Sequence, residues 1–137
     1  MALDTLTRRI FHELISGHGD PVALTDELIH PHYVDTRGPQ GRQAFLGGLM
    51  MVREAFPDWH AEVEHLLVGD GEVAVKWTVR GTHRGPFMGL PATGRAIAMA
   101  ECGFLTFRDG QLLRLDRVAD EASLLRQLGV LPPPPTA

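Results

Sequence analysis

Two short turns constrain this chain most. Gly69-Asp70-Gly71 and Arg108-Asp109-Gly110 each separate two long runs in which apolar residues recur at every second position, the period of a strand with one buried face. A three-residue loop of this kind is a type I turn closed by a glycine in the left-handed region, and it fixes which residues oppose one another on the flanking strands. If Phe107 pairs with Gln111, counting back sets Glu101 directly opposite Arg117 on one face. If Val68 pairs with Glu72, then Trp59, Ala61, Val63, His65 and Leu67 share a face with Val73, Val75, Trp77 and Val79. The opposite face then sets Glu64 across from Lys76.

The first third of the chain reads as helix. Asp4 or Thr5 caps a helix striped by Leu6, Ile10, Phe11 and Leu14 and stopped by Gly17 and Gly19. Asp20-Pro21 is a cap followed by proline at the first helical position, opening a short helix that carries Leu24, Leu28 and Ile29 up to His30-Pro31. After a loop over residues 37 to 42, a third helix carries Phe45, Leu49, Val52 and Phe56 and ends at Pro57-Asp58. Residues 82 to 94 form a loop rich in Gly and Pro. Asp120 caps a short C-terminal helix with Leu124, Leu125 and Leu128, closed by Gly129. Helices followed by antiparallel strands are an α+β plan. At 137 residues this is one domain, over 1–131, with a proline-rich tail at 132–137.

Charge and composition exclude several classes. A net charge of -4 without a basic run argues against nucleic acid as a partner. No apolar segment approaches membrane-spanning length, and the N-terminus lacks a signal-peptide pattern, so no membrane partner and a cytoplasmic location are expected. The single cysteine, Cys102, forms no internal disulfide and reads as a small buried hydrophobe on the face away from Glu101. The seven histidines show no metal-ligand spacing, so no metal is expected.

The chemistry-bearing residues converge on one strand face. Glu101 shares it with Ile97, Met99, Leu105 and Phe107. Desolvation by such neighbours raises a carboxyl pKa towards neutrality and suits general acid–base work. Arg117 opposes that shift; it keeps its proton at any accessible pH and suits stabilisation of an enolate or alkoxide oxygen. Asp35, in Tyr33-Val34-Asp35-Thr36, is a second candidate base, with Tyr33 at a pocket mouth. Trp77, Phe87 and Met88 are candidate apolar contacts for a ligand, and His83 lies at the sheet rim beside a lid-like loop from Arg84 to Gly94. A structural reading stands beside each: a buried ion pair, a turn carboxylate for Asp35, core packing for Trp77 and loop packing for His83.

Several motifs occur in a fixed order: Ala55-Phe56-Pro57-Asp58, Gly69-Asp70, Gly81-Thr82-His83, Gly89-Leu90-Pro91-Ala92-Thr93-Gly94, Asp109-Gly110, and Asp120 followed by Leu124-Leu125-Arg126-Gln127-Leu128-Gly129. Together they resemble the SnoaL-like polyketide cyclases of the nuclear transport factor 2-like superfamily. The resemblance implies a cone, in which a curved antiparallel sheet wraps around a pocket and is closed by three N-terminal helices. It also implies a homodimer joined through the sheet's outer face. The cyclases of this family close a ring by intramolecular aldol chemistry with no metal or organic cofactor. Aligned through these motifs, the family's acid/base aspartate falls on Arg117, its pocket histidine on Gly103, its pocket glutamine on Glu101 and its pocket asparagine on Asp35. That makes Gly103 a candidate substrate-binding position and inverts the charge at the catalytic slot, which suits an anionic substrate or transition state.

Three functions follow as expectations. One is a cofactor-independent enzyme acting on a hydrophobic, polyketide-like carbonyl compound through an enolate, by cyclisation, isomerisation or dehydration. Another is a non-catalytic small-molecule-binding protein that keeps the pocket. The last is an epoxide hydrolase with a carboxylate–arginine–carboxylate arrangement, which would require an extra carboxylate on the strand of Trp77, where Lys76 and Thr78 stand instead.

Overall fold

A computed structural model describes residues 2–38 and 40–136. Helix α1 (Leu3–Arg9) continues into a π-helical turn (Ile10–Ile15), followed by α2 (Pro21–Leu28), β1 (Ile29–Asp35) and α3 (Arg42–Ala55). Strands β2 (His60–Val68), β3 (Glu72–Thr82), β4 (Ala96–Arg108) and β5 (Gln111–Ala119) come next, and α4 (Glu121–Gln127) ends the fold. The five strands form one sheet in the order β1-β5-β4-β3-β2. This is an α+β plan. The sheet is mixed rather than antiparallel, because β1 pairs in parallel with β5.

Strand β1 was hidden from the sequence by His30-Pro31-His32. Helix α2 stops at Leu28, and Ile29 opens the strand instead of closing the helix. A proline cannot donate to a ladder, and β1 tolerates Pro31 because it is an edge strand whose register breaks between Ile29 and Val34. The Asp20 cap forms as expected, its carboxylate accepting from the backbone N–H groups of Val22 and Ala23, and Asp120 accepts from that of Ser123. Helix α1 differs: it begins after Ala2 with no side-chain cap. Its π-helical end, an uncommon geometry often found at functional sites, carries Phe11 against Trp77 with ring centroids 5.0 Å apart.

Both hairpin registers differ from the sequence count. Asp109 (φ 54°) and Gly110 (φ 74°) both lie in the left-handed region, so the β4–β5 connection is a two-residue turn of the I′ kind, which matches strand twist better than a type I turn. Arg108 therefore faces Gln111, and Phe107 faces Leu112. A bulge between Thr106 and Phe107 then adds a second one-residue shift in the same direction. Two shifts restore the original side-chain parity. Glu101 and Arg117 stay on one face, but Glu101 faces Ala119 and Arg117 faces Gly103.

In the β2–β3 hairpin, Val68 faces Val73, and a bulge between Val63 and His65 returns the expected register, with Val63 facing Trp77. On the turn side of that bulge, Leu66 takes the inner face. His65 and Leu67, expected among the apolar set, are exposed instead, and Leu67 is 74% exposed. Glu64 still meets Lys76, at 3.0 Å.

The inner face of the sheet carries the core. Val73, Val75, Trp77 and Val79 of β3, Ile97, Met99 and Leu105 of β4 and Leu112 of β5 are buried in one cluster with Leu6, Ile10, Phe11, Leu14, Leu49 and Phe56. Each such side chain contributes about 1.5–3 kcal/mol on burial. Cys102 faces the other way and is exposed, so the reading of it as a buried hydrophobe is overturned. Among the described residues, no helix is long and apolar enough to cross a membrane.

Candidate functional site

Three strands place charged side chains on the buried face. Glu101 on β4 is only 6% exposed. The Arg117 Nη1 donates to Glu101 Oε1 at 2.7 Å, and its Nη2 donates to Asp35 Oδ2 at 3.4 Å. Arg117 on β5 thus lies between a carboxylate on each neighbouring strand. Trp77, directly across from Glu101 on β3, donates its indole N–H to Glu101 Oε2 at 3.0 Å. The other Asp35 oxygen accepts from the Arg37 backbone N–H at 2.8 Å. The Arg117 backbone N–H is itself tied to Thr36 Oγ1 at 3.3 Å, which clamps the start of the 36–41 loop to β5.

Burial dominates the electrostatics. It pushes the Glu101 carboxyl above the usual glutamate range, and Arg117 and the Trp77 indole offset this in part by favouring the ionised form; the Arg37 charge adds to that offset. Burial also works against the Arg117 cation, but Glu101 and Asp35 more than compensate and hold its proton more firmly than usual. With both carboxylates ionised, the cluster of Glu101, Arg117 and Asp35 carries one net negative charge; with Glu101 protonated it is neutral.

Tyr33 sits two residues before Asp35, and only 2% of it is exposed, so it lies inside the protein instead of at a mouth. Its ring meets Phe45 edge-on at 5.3 Å. Its hydroxyl is buried without a hydrogen-bond partner, and burial, reinforced by Asp35, keeps it protonated. An orphaned buried hydroxyl costs about 1–3 kcal/mol.

The remaining expected residues lie elsewhere. His83, fully buried, accepts at Nδ1 from the Thr93 backbone N–H at 3.2 Å, which assigns the proton to Nε2, a buried nitrogen with no partner. It stacks near Phe56, pins the loop that follows β3 and contacts Phe87, whose ring centroid lies 6.5 Å away. Met88 is 76% exposed in the turn closed by the Phe87–Leu90 bridge, so its expected apolar contact with a ligand is not part of the buried set. Gly103 lines no cluster with a side chain of its own; it lies under Arg117.

Arg117 has a carboxylate on either side, Glu101 on β4 and Asp35 on β1, while the strand of Trp77 contributes its indole N–H and carries Lys76 and Thr78 where the epoxide-hydrolase expectation requires a carboxylate. Sequence reasoning missed the Trp77 indole as Glu101's partner, because the long loop between β3 and β4 gives no turn from which their register could be counted. It also missed Arg37, which carries no motif. Among the described residues, no group of three or more His, Cys, Asp or Glu side chains is arranged to hold a metal ion.

On the outer face, a groove of about 320 Å3 is lined by Leu67, Lys76, Cys102, Phe104, Asp116 and Val118 among others. Phe104 and Val118 are 55% and 64% exposed.

Residues 5–128 match the family described as SnoaL-like polyketide cyclase. The chain is 28% identical over 132 residues to the aklanonic acid methyl ester cyclase DauD of Streptomyces sp. strain C5, covering 90% of this chain and 80% of DauD. Its fold superposes on TsrD from Streptomyces laurentii with a TM-score of 0.83 at 24% identity, over 94% of this chain and 96% of that one. IdmH from Streptomyces antibioticus gives a TM-score of 0.77 at 27% identity, over 93% and 98% of the two chains.

Proposed function

Because this chain belongs to the SnoaL-like polyketide cyclase family, we propose that it is a cofactor-independent enzyme that moves a proton on a hydrophobic, polyketide-like carbonyl compound, with Glu101 as the acid–base residue. The family and its relatives support a small-molecule cyclase or isomerase role. DauD is named for an ester, itself a carbonyl compound, which supports that substrate class. The observation that carries the assignment to Glu101 is its burial among apolar side chains, with its carboxyl raised towards the range in which it both takes and returns a proton.

Glu101 removes a proton from the carbon next to a carbonyl, and the C–H electron pair becomes an enolate. Arg117 engages Glu101 and Asp35 with two of its five N–H donors, and the others are available to the enolate oxygen. The enolate carbon attacks a second carbonyl of the same molecule, and the alkoxide formed takes the proton back from Glu101. Alternatively the conjugated enolate takes that proton from Glu101 at a different carbon, or it re-forms the carbonyl and expels hydroxide from the neighbouring β carbon, which leaves as water with the Glu101 proton. These are cyclisation, isomerisation and dehydration. Asp35 orients Arg117 through the Nη2 contact. We propose further that the sheet wraps around the ligand as a cone closed by the N-terminal helices, with Tyr33, Trp77 and His83 facing it, and the unpaired Tyr33 hydroxyl and His83 Nε2 support this. Two copies join through the outer face of the sheet, where Leu67, Phe104 and Val118 are exposed, and the protein acts in the cytoplasm.

A second reading is supported by one observation: Arg117 bridges two carboxylates, the arrangement that activates water for epoxide opening. Turnover by the parent, Glu101→Gln and Arg117→Leu proteins on a panel of aromatic polyketides, polycyclic ketones and aliphatic epoxides separates the readings. Ketone turnover lost in Glu101→Gln supports proton transfer on carbon. Epoxide turnover alone supports hydrolysis. Ligand binding with no turnover in the parent overturns both and leaves a binding protein.

A further inference from the structure

Gly103 occupies the middle of β4, where glycine weakens a strand and no left-handed backbone requires it. Its neighbours supply the reason. A Cβ built on Gly103 would lie 2.5 Å from the Asp116 carbonyl oxygen, 2.9 Å from Arg117 Cα and 2.9 Å from Arg117 Cβ. Two of those three atoms are backbone, so rotating a side chain does not relieve the clash. Arg117 faces this empty position across the ladder and turns from it towards Glu101, two residues earlier on β4.

We infer that Gly103 is a positioning residue: its missing side chain lets β5 approach β4 closely enough for Arg117 to lie diagonally over the sheet and hold Glu101 and Asp35 together. Any side chain at 103 pushes Arg117 off that diagonal. Position 103 is therefore matched to the backbone at 116–117: the close approach of β5 that seats Arg117 leaves no room for a Cβ at 103. The candidate substrate contact at Gly103 becomes a seat for the arginine. The functional consequence rests on the reading of Glu101 as the acid–base residue; the geometric claim does not.

The groups acting on Glu101 are Arg117 from β5, the Trp77 indole from β3 and the Arg37 charge from the loop after β1. Asp35 and Tyr33 from β1 act on Arg117 instead, Asp35 through its contact with Nη2. Gly103→Ala leaves all of them in the chain and shifts the β5 backbone at 116–117, and with it Arg117. The test is a ligand-free carbon-13 NMR titration of the Glu101 carboxyl in the parent, Gly103→Ala, Arg117→Leu and doubly substituted proteins. The inference expects Gly103→Ala to raise the Glu101 midpoint by most of the shift seen in Arg117→Leu, and to add nothing in the Arg117→Leu background. A Glu101 midpoint in Gly103→Ala equal to that of the parent overturns it. The Arg117 guanidinium spectra give a second readout: separate, slowly exchanging protons in the parent that average in Gly103→Ala are expected, and equal spectra in the two proteins overturn the inference. A Gly103→Ala protein that does not fold makes Gly103 a packing requirement of the sheet and overturns the positioning role. Because no substrate is present, the expected shift in a protein that turns nothing over keeps the positioning role and sinks only the enzymatic reading.

Discussion

Arg117 reaches Glu101 along a diagonal of the sheet: the two are not ladder partners, yet Nη1 lies 2.7 Å from Oε1. The contact takes a half-buried cation across one strand spacing to a buried anion, while its other nitrogen faces Asp35 on the opposite side. Removing one member leaves the other charge without compensation, which costs about 3–5 kcal/mol in a fully buried pair and less here, where Arg117 is partly exposed. Arg117→Leu is therefore expected to destabilise the protein more than Glu101→Gln at neutral pH, since the neutral amide of the latter leaves no charge behind and Arg117 keeps Asp35. Urea unfolding at pH 7 and at pH 4 checks this. The gap between the two variants narrows at the lower pH, where Glu101 takes up its proton.

Glu101 gives a pH dependence of defined sign. Its carboxyl is raised in the folded state, so the folded protein binds this proton more tightly than the unfolded chain. That contribution is fully present below the unfolded glutamate range and is lost as pH rises through the raised folded value. Stability curves of the parent and Glu101→Gln proteins, subtracted across pH 3 to 8, are expected to differ by a term that favours the parent at the acid end. A flat difference contradicts the raised carboxyl. Base-catalysed turnover follows the complementary limb, rising with pH as Glu101 ionises.

Asp58 supplies the opposite case. Burial is the largest single influence and disfavours its charge, but Thr82 donates to it from both the backbone N–H, at 2.7 Å, and Oγ1, at 2.8 Å; together with its own backbone N–H and the Arg84 charge these outweigh burial, and the carboxyl ends below the usual aspartate range. This stabilisation is present at neutral pH and is lost as pH falls through the lowered value. The site is exposed, so Asp58→Ala is expected to cost only about 1 kcal/mol at pH 7, and less in acid. Thermal unfolding at the two pH values measures it. The end of β3 leads into the His83 loop, so the same variant is expected to speed amide exchange at His83 and Gly94, which hydrogen-bond across that loop.

The outer-face dimer is open to a direct check. Phe104→Asp and Val118→Asp place charges in the exposed apolar patch, and sedimentation is expected to show a dimer in the parent and monomers in the variants. A parent that sediments as a monomer at micromolar concentration contradicts the interface.

The parts legible in the sequence were those with local causes. The Asp20 and Asp120 caps, the hairpins and the shared face of Glu101 and Arg117 each follow from residues close in the chain. The shared face survived two register errors only because they were equal and additive: a tight turn at Asp109-Gly110 and a bulge after Thr106, neither visible in the apolar alternation. Strand β1 was not legible, because its partner β5 lies some 80 residues away and pairs in parallel without a turn to announce it. Asp35 was therefore named as a candidate without its reason, which is that β1 lies alongside β5 and brings it to Arg117. The exposure of Met88 was not legible either, because it follows from the turn closed by Phe87 and Leu90 and apolar periodicity does not extend into a loop.

Proton transfer on carbon by Glu101 underlies the whole functional reading. Deuterium uptake from heavy water, at the carbon between two carbonyls in a panel of aromatic polyketides, reports that step without requiring a completed reaction. Proton NMR follows it with the parent and Glu101→Gln proteins. Enzyme-dependent exchange is expected in the parent and falls by about 100-fold or more in Glu101→Gln, the usual range for loss of a general base. Exchange of equal rate in the two proteins, or none above the uncatalysed rate in the parent, contradicts it.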